Sequence, residues 1–149
     1  MKKVIWLIIL GMCASGCATL EKGGFVTPVP AQSEYFRTTG AGFSFTIGDP
    51  DSIKYNISLD VIKPRERNIF IETQFEDPSL PKSPIIATRT IQPEESSITV
   101  ESPPIYGLCA YEGYIIDIFI YESAEKGRLL GKHRQVVRSI IDQKLISKK

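Results

Sequence analysis

The feature that most limits what this chain can fold into is a period of two. Tyr55, Ile57, Leu59 and Val61 alternate with Asn56, Ser58 and Asp60, which gives a strand one apolar face and leaves the other to solvent. Phe43, Phe45 and Ile47 alternate in the same way with Gly42, Ser44 and Thr46, ahead of a turn expected at Gly48-Asp49-Pro50-Asp51-Ser52. Gly40-Ala41-Gly42 reads as a turn before that strand. Beyond a charged turn at residues 63–68, strands are expected over 69–75, 85–91 and 96–100. Pro78, Pro81 and Pro84 rule out a central strand between the first two, because proline cannot donate to a ladder. Residues 113–121 are apolar except for Asp117, so a central strand covered on both faces is expected there, and a last strand over 128–141. No stretch reads as a convincing helix. Seven to eight short strands with Pro, Gly and Asp turns predict an all-β fold, an antiparallel β-sandwich.

The first residues follow different rules. Lys2 and Lys3 precede the apolar run 4–10, and Ala14-Ser15-Gly16 leads into Cys17, the layout of a bacterial export signal. This run resembles the lipobox of bacterial lipoproteins, although Ala14 stands where that family most often has Leu. The resemblance implies cleavage before Cys17, a thioether-linked diacylglycerol on that cysteine and usually a third acyl chain. Cys13 fits less well, because Met12 precedes it. The 11 mostly apolar residues 4–14 fall short of the about 20 that a spanning helix needs; a plain secretory cut without lipid is the other alternative. Each buried methylene contributes about 0.8 kcal/mol, so two or three chains hold a protein at a membrane essentially permanently. Three segments are therefore expected: a signal at 1–16, a lipidated N-terminus and tether at 17–32, and a sandwich domain at 33–149. Gly23-Gly24 followed by Pro28 and Pro30 suits the tether. Ala18 rather than Asp follows the cysteine, which by the same resemblance favours the outer membrane, on its periplasmic face.

Removing residues 1–16 leaves 133 of the 149 residues, enough for one domain with a real core. Residues 96–100 and 114–121 resemble the later strands of immunoglobulin-like and fibronectin type III domains. That resemblance implies an immunoglobulin-like sandwich, and a transthyretin-like one would give the same pattern. It implies nothing about activity.

Catalytic and metal chemistry finds few candidates. The sequence holds a single histidine, His133, and three cysteines. Cys13 leaves with the signal and Cys17 carries lipid, so Cys109 has no intramolecular partner, and a histidine- or cysteine-rich metal site is excluded. No Walker loop, no Gly-x-Ser-x-Gly elbow and no dinucleotide fingerprint occurs. Cys109, in an apolar setting, is expected to be a buried thiol. A Cys109–His133 nucleophile and base is the weak alternative. Glu76-Asp77 and Glu94-Glu95 read as solvated loop charge. Asp117, an acid inside an apolar strand, needs a tyrosine hydroxyl or an arginine such as Arg89 as partner. No cofactor is expected.

Charge is unevenly divided along the chain. Residues 17–125 carry 8 basic and 16 acidic side chains, whereas residues 126–149 carry 8 basic and 1 acidic. Alternation over the last strand places Arg128, Lys132, Arg134 and Arg138 on one face with Leu130 and Val136, and His133, Gln135 and Val137 on the other. This basic stripe is the candidate partner-binding surface, for an anionic surface or a protein of the envelope; the competing reading is that it neutralises acidic strands beside it. No aromatic platform accompanies it, so nucleic acid is not expected. The expected function is that of a non-enzymatic, lipid-anchored binding or assembly component docking on a membrane-associated complex. A surface receptor or adhesin is the first alternative, and a small envelope enzyme the second.

Overall fold

The computed structural model describes residues 30–141. The expected signal, Cys17, most of the tether and the tail 142–149 lie outside the described residues. Seven strands follow one another: β1 (Phe36–Thr46), β2 (Asp49–Val61), β3 (Ile69–Phe75), β4 (Ile85–Ile91), β5 (Ser97–Glu101), β6 (Gly113–Tyr121) and β7 (Leu129–Arg138). They form two antiparallel sheets, β1-β2-β5 and β4-β3-β6-β7, with no helix among the described residues. β1, β2 and β5 take the places of three strands of one immunoglobulin sheet, and β3, β6 and β7 those of the other. β4 attaches to β3 instead of β5, and of the two sandwich types expected this order is the immunoglobulin-like one.

Alternation explains the core. Ile53, Tyr55, Ile57 and Leu59 of β2 are fully buried, and they face Ile71 and Phe75 of β3, Ile98 and Val100 of β5, and Tyr114, Ile116, Ile118 and Ile120 of β6. Each such side chain removed from water contributes about 1.5–3 kcal/mol. Tyr55 stacks on Phe75 with ring centroids 5.3 Å apart and meets Tyr114 edge-on. Its hydroxyl donates to the Glu76 carbonyl at 2.8 Å, so the one polar atom of that ring is satisfied.

Strands β3, β4 and β6 have the limits that alternation sets for them. β1 does not. It begins at Phe36, and Gly40-Ala41-Gly42 lies inside it, paired with Ser58, Ile57 and Asn56 of β2. These small residues carry no facial signal, so the strand is invisible as a period of two. The expected turn at 48–52 is also tighter: Thr46 pairs with Asp49, and Gly48 takes φ +85°, a conformation that favours glycine. The Ser52 hydroxyl accepts from Thr46 N–H and donates to the Asp49 carbonyl, both at 2.7 Å. Phe45 and Ile47 therefore stand exposed on a hairpin tip rather than facing the core. β6 is central, between β3 and β7, but only one of its faces is fully buried; Ile115, Asp117, Phe119 and Tyr121 are half-buried on the other.

The antiparallel order fixes two ends. The β1–β2 turn, the β3–β4 loop, the β5–β6 loop and the segment after β7 form one, here called apical. The loops 62–68, 92–96 and 122–128 form the other, the basal end.

Candidate functional site

The basic strand was the sequence's candidate, and the structure divides it. β7 pairs with β6 in the register Ile118↔His133, Asp117↔Arg134 and Phe119↔Lys132, with a shift between Ile120 and Tyr121. That bulge adds one residue and turns Leu130 inward, where it packs against the core; Leu130 does not share a face with the cations.

Lys132 and Arg134 are engaged within the domain. Arg134 donates from Nε and Nη2 to the two oxygens of Asp117, both at 2.6 Å, a bidentate fork. Lys132 Nζ lies 2.9 Å from Asp117 Oδ2 and 4.6 Å above the Phe119 ring. Burial alone would push the Asp117 carboxyl up, but the hydrogen bonds from Arg134 and Lys132 outweigh it and hold the group below the usual carboxylate range. Arg89, the arginine suggested for Asp117, instead pairs with Glu95 and donates to the Thr99 carbonyl. From the loop 122–128, Lys126 pairs with the buried Glu72 of β3, which also accepts from Gln74 at 2.8 Å.

The other two cations lie apart. Arg128 lines a shallow basal pocket with Lys63, Arg65, Arg67, Glu66 and Glu122, 3.6 Å from the Glu122 carboxylate. Arg138 sits at the apical end of β7, opposite Gly113, and is exposed. Within the pocket wall Lys63 holds Glu34 at 2.5 Å, and Arg65 Nη2 donates to the Gln92 and Glu95 carbonyls at 2.7 and 3.2 Å, tying two basal loops together.

His133 is fully buried on the inner face of β7. Its Nδ1 accepts from Ser33 N–H at 3.3 Å, and its Nε2 lies 2.8 Å from Thr38 Oγ1. With Nδ1 accepting, the assigned tautomer carries its hydrogen on Nε2 and donates to the threonine. Burial lowers its pKa and keeps the ring neutral at pH 7. The histidine thus joins β7 of one sheet to β1 of the other and holds the segment ahead of β1. Cys109 lies in the β5–β6 loop, not on a strand, and is half-buried rather than buried. Its backbone N–H donates to the Tyr114 hydroxyl at 2.9 Å, and its thiol to the Gly107 carbonyl at 3.6 Å. Burial pushes the Tyr114 phenol up to about 12. Both nitrogens of His133 are committed elsewhere, so the structure does not bring the two into a nucleophile and base pair. Among the described residues no cluster of three or more His, Cys, Asp or Glu side chains suits a metal ion.

Sequence reading missed the apical end. Six large apolar side chains stand exposed there: Phe45, Ile47, Leu80, Tyr106, Tyr111 and Ile140. Ile47 and Phe45 resembled core positions, because alternation cannot show that a hairpin outruns the sheet beneath it.

No protein-family profile matches the chain, and no curated protein sequence matches it. Solved structures of Bacteroides uniformis beta-glucuronidase do match in shape. One has 11% identity and a TM-score of 0.43, covering 70% of this chain and 13% of that one. A calcium-binding mutant of beta-glucuronidase 2 from the same organism matches at 9% identity and a TM-score of 0.44. The same enzyme covalently bound to cyclophellitol-6-carboxylate aziridine gives 10% and 0.44. This chain spans 13% of the length of each of these structures. Similarity at this level carries no argument about function.

Proposed function

We propose that this chain is a lipid-anchored, non-enzymatic binding or assembly component of the bacterial envelope. The observation that carries the reading is the run from Lys2 to Cys17, with small residues leading into the cysteine, ahead of a sandwich whose core closes on itself. On this reading the acyl chains on Cys17 confine the domain to the periplasmic face of the outer membrane. The tether sets its reach and raises its effective concentration for a membrane-bound protein partner. The interior titratable groups fit such a role: His133 and the Asp117 cluster hold strands together instead of facing a cleft.

The division of β7 refines the contact. Lys132 and Arg134 serve Asp117, so the cation offered to a protein partner is Arg128 at the basal end, while Arg138 stands apart at the apical end. The full chain, expressed with its own signal and crosslinked in its native membranes, is the test. Affinity capture should recover a defined protein partner, and Arg128→Gln should weaken that recovery. Capture that is unchanged in this variant removes Arg128 from the interface. Cys17→Ser should release the chain from membranes; retention there overturns the anchor.

A further inference from the structure

The apical end supplies a second observation that points to a membrane. Three of its side chains are almost wholly open to solvent: Ile47 at 92%, Ile140 at 83% and Tyr111 at 82%. Of the nine exposed large apolar residues among those described, six lie on this end, while Ile62 and Leu129 lie toward the basal end and Ile86 on edge strand β4. A scatter of single apolar residues needs no explanation, but their collection on one end does.

The loops that carry them are fixed to one another. The β5–β6 loop follows β2 through Ile105 N–H to the Ile53 carbonyl at 2.8 Å. Gly107, at φ +82°, would place a Cβ 3.4 Å from Ser79 N, so this loop lies directly on the β3–β4 loop beside Leu80. Tyr111 N–H donates to the Ser139 carbonyl at 2.7 Å, and Ser139 N–H to the Glu112 carbonyl at 2.9 Å. Tyr111 is held at φ +66°, a left-handed conformation that costs a bulky residue about 1–2 kcal/mol. The fold thus spends strain to keep a tyrosine pointing into solvent beside Ile140.

The direction of the chain says what covers this end. Ala31 and Arg134 exchange backbone hydrogen bonds at 3.0 and 2.7 Å in an antiparallel bridge. Ser33 then meets His133, and Tyr35 lies against Gly131. The chain therefore descends β7 as it enters the domain, and at Pro30 its N-terminal side faces the Arg138 end. Only 12 residues lie between Cys17 and Pro30, a span of at most about 45 Å over the 13 steps of chain.

We infer that the apical end docks on the bilayer to which Cys17 is anchored, placing Ile47, Tyr111 and Ile140 in the interface between headgroups and acyl chains. The inference rests on the lipid-anchor reading above. Tyrosine and large aliphatic residues suit that layer, and tyrosine in particular keeps its hydroxyl wet while its ring is covered. The basal end, with its charged pocket, then points away from the membrane toward the periplasm.

The test uses the acylated chain purified from membranes and reconstituted in phosphatidylethanolamine–phosphatidylglycerol vesicles that contain lipids with nitroxides on their acyl chains. A fluorophore is attached through Ile47→Cys or, at the basal end, Glu94→Cys, each in a Cys109→Ser background; both sites are exposed. Interfacial groups sit about 5–10 Å into the boundary, so the label at position 47 should be quenched at least about twofold more than the label at 94. Adding Tyr111→Ser and Ile140→Ser should abolish that difference. Mass spectrometry of the Cys17 peptide from the same sample separates the two claims. An unmodified peptide overturns the anchor reading and this inference with it. An acylated peptide with equal quenching at the two ends overturns this inference alone.

Discussion

β7 and the apical end differ in how they use side chains that a sequence reader would single out. On β7, cations at alternate positions look like a surface made for a partner, yet Lys132 and Arg134 converge on one carboxylate of the neighbouring strand. At the apical end, Ile47 and Phe45 look like core, yet they stand in solvent on a tip that the sheet does not cover. Charge on a central sheet face is drawn inward, because a half-buried Asp117 left unpaired would cost more than its ion pairs return. Apolar residues on loops escape that pressure, since no packing layer lies above them. Unspent side chains are thus the better guide to contact than the chemical type of the side chain.

The largest effect on the β7 side is expected from His133→Ala. It removes the ring that joins Thr38, Ser33 and β7 and leaves buried polar groups without partners, a loss of about 2–4 kcal/mol in urea unfolding. A loss below about 0.5 kcal/mol would make the histidine a bystander. Acid reads the same contact without mutation. Burial holds folded His133 below its ordinary 6.5, so as pH falls below about 6.5 the unfolded chain binds the proton first. Stability should be level above pH 7 and fall below about 6.5 by up to about 1.4 kcal/mol per unit, until the native ring itself is protonated. Asp117, also depressed, adds its loss only as pH drops below its ordinary 3.8. A urea midpoint that does not move between about pH 7.5 and 5.5 contradicts this.

On the apical side, Tyr111→Gly should stabilise the domain by about 0.5–1 kcal/mol, because glycine accepts the positive φ that tyrosine resists. A destabilised variant would mean that the ring packs against the domain. The smallest effect is expected for Arg128→Gln with Arg138→Gln. Arg128 makes only an exposed ion pair with Glu122 and Arg138 is exposed, so unfolding should shift by less than about 0.5 kcal/mol.

How much of this could be read beforehand depended on the side chains. β3, β4 and β6 were legible because their large apolar residues mark a face. β1 was half hidden by Gly40, Ala41 and Gly42, and the two-residue turn by Asp49 and Ser52, whose side chains support a strand while looking like a loop. Asp117 visibly needed a cation, but its partner is the residue across the ladder, and only the register reveals Arg134. The His133 contacts with Thr38 and Ser33 span 95 and 100 positions, a separation no local pattern crosses. The bulge that turns Leu130 inward breaks parity at one residue, which alternation alone cannot place.

Calorimetric melting of two full-chain variants tests the contrast most directly. Arg134→Ala leaves Asp117 with Lys132 alone and should lower the midpoint by about 3–10 °C, from a loss of about 1–2 kcal/mol. Ile47→Ser with Ile140→Ser should stay within about 2 °C of the parent, because neither side chain is buried in the isolated domain. The reverse order, with the apical variant melting early and the β7 variant unchanged, would show that the cations are the free surface and the apolar end is part of the core.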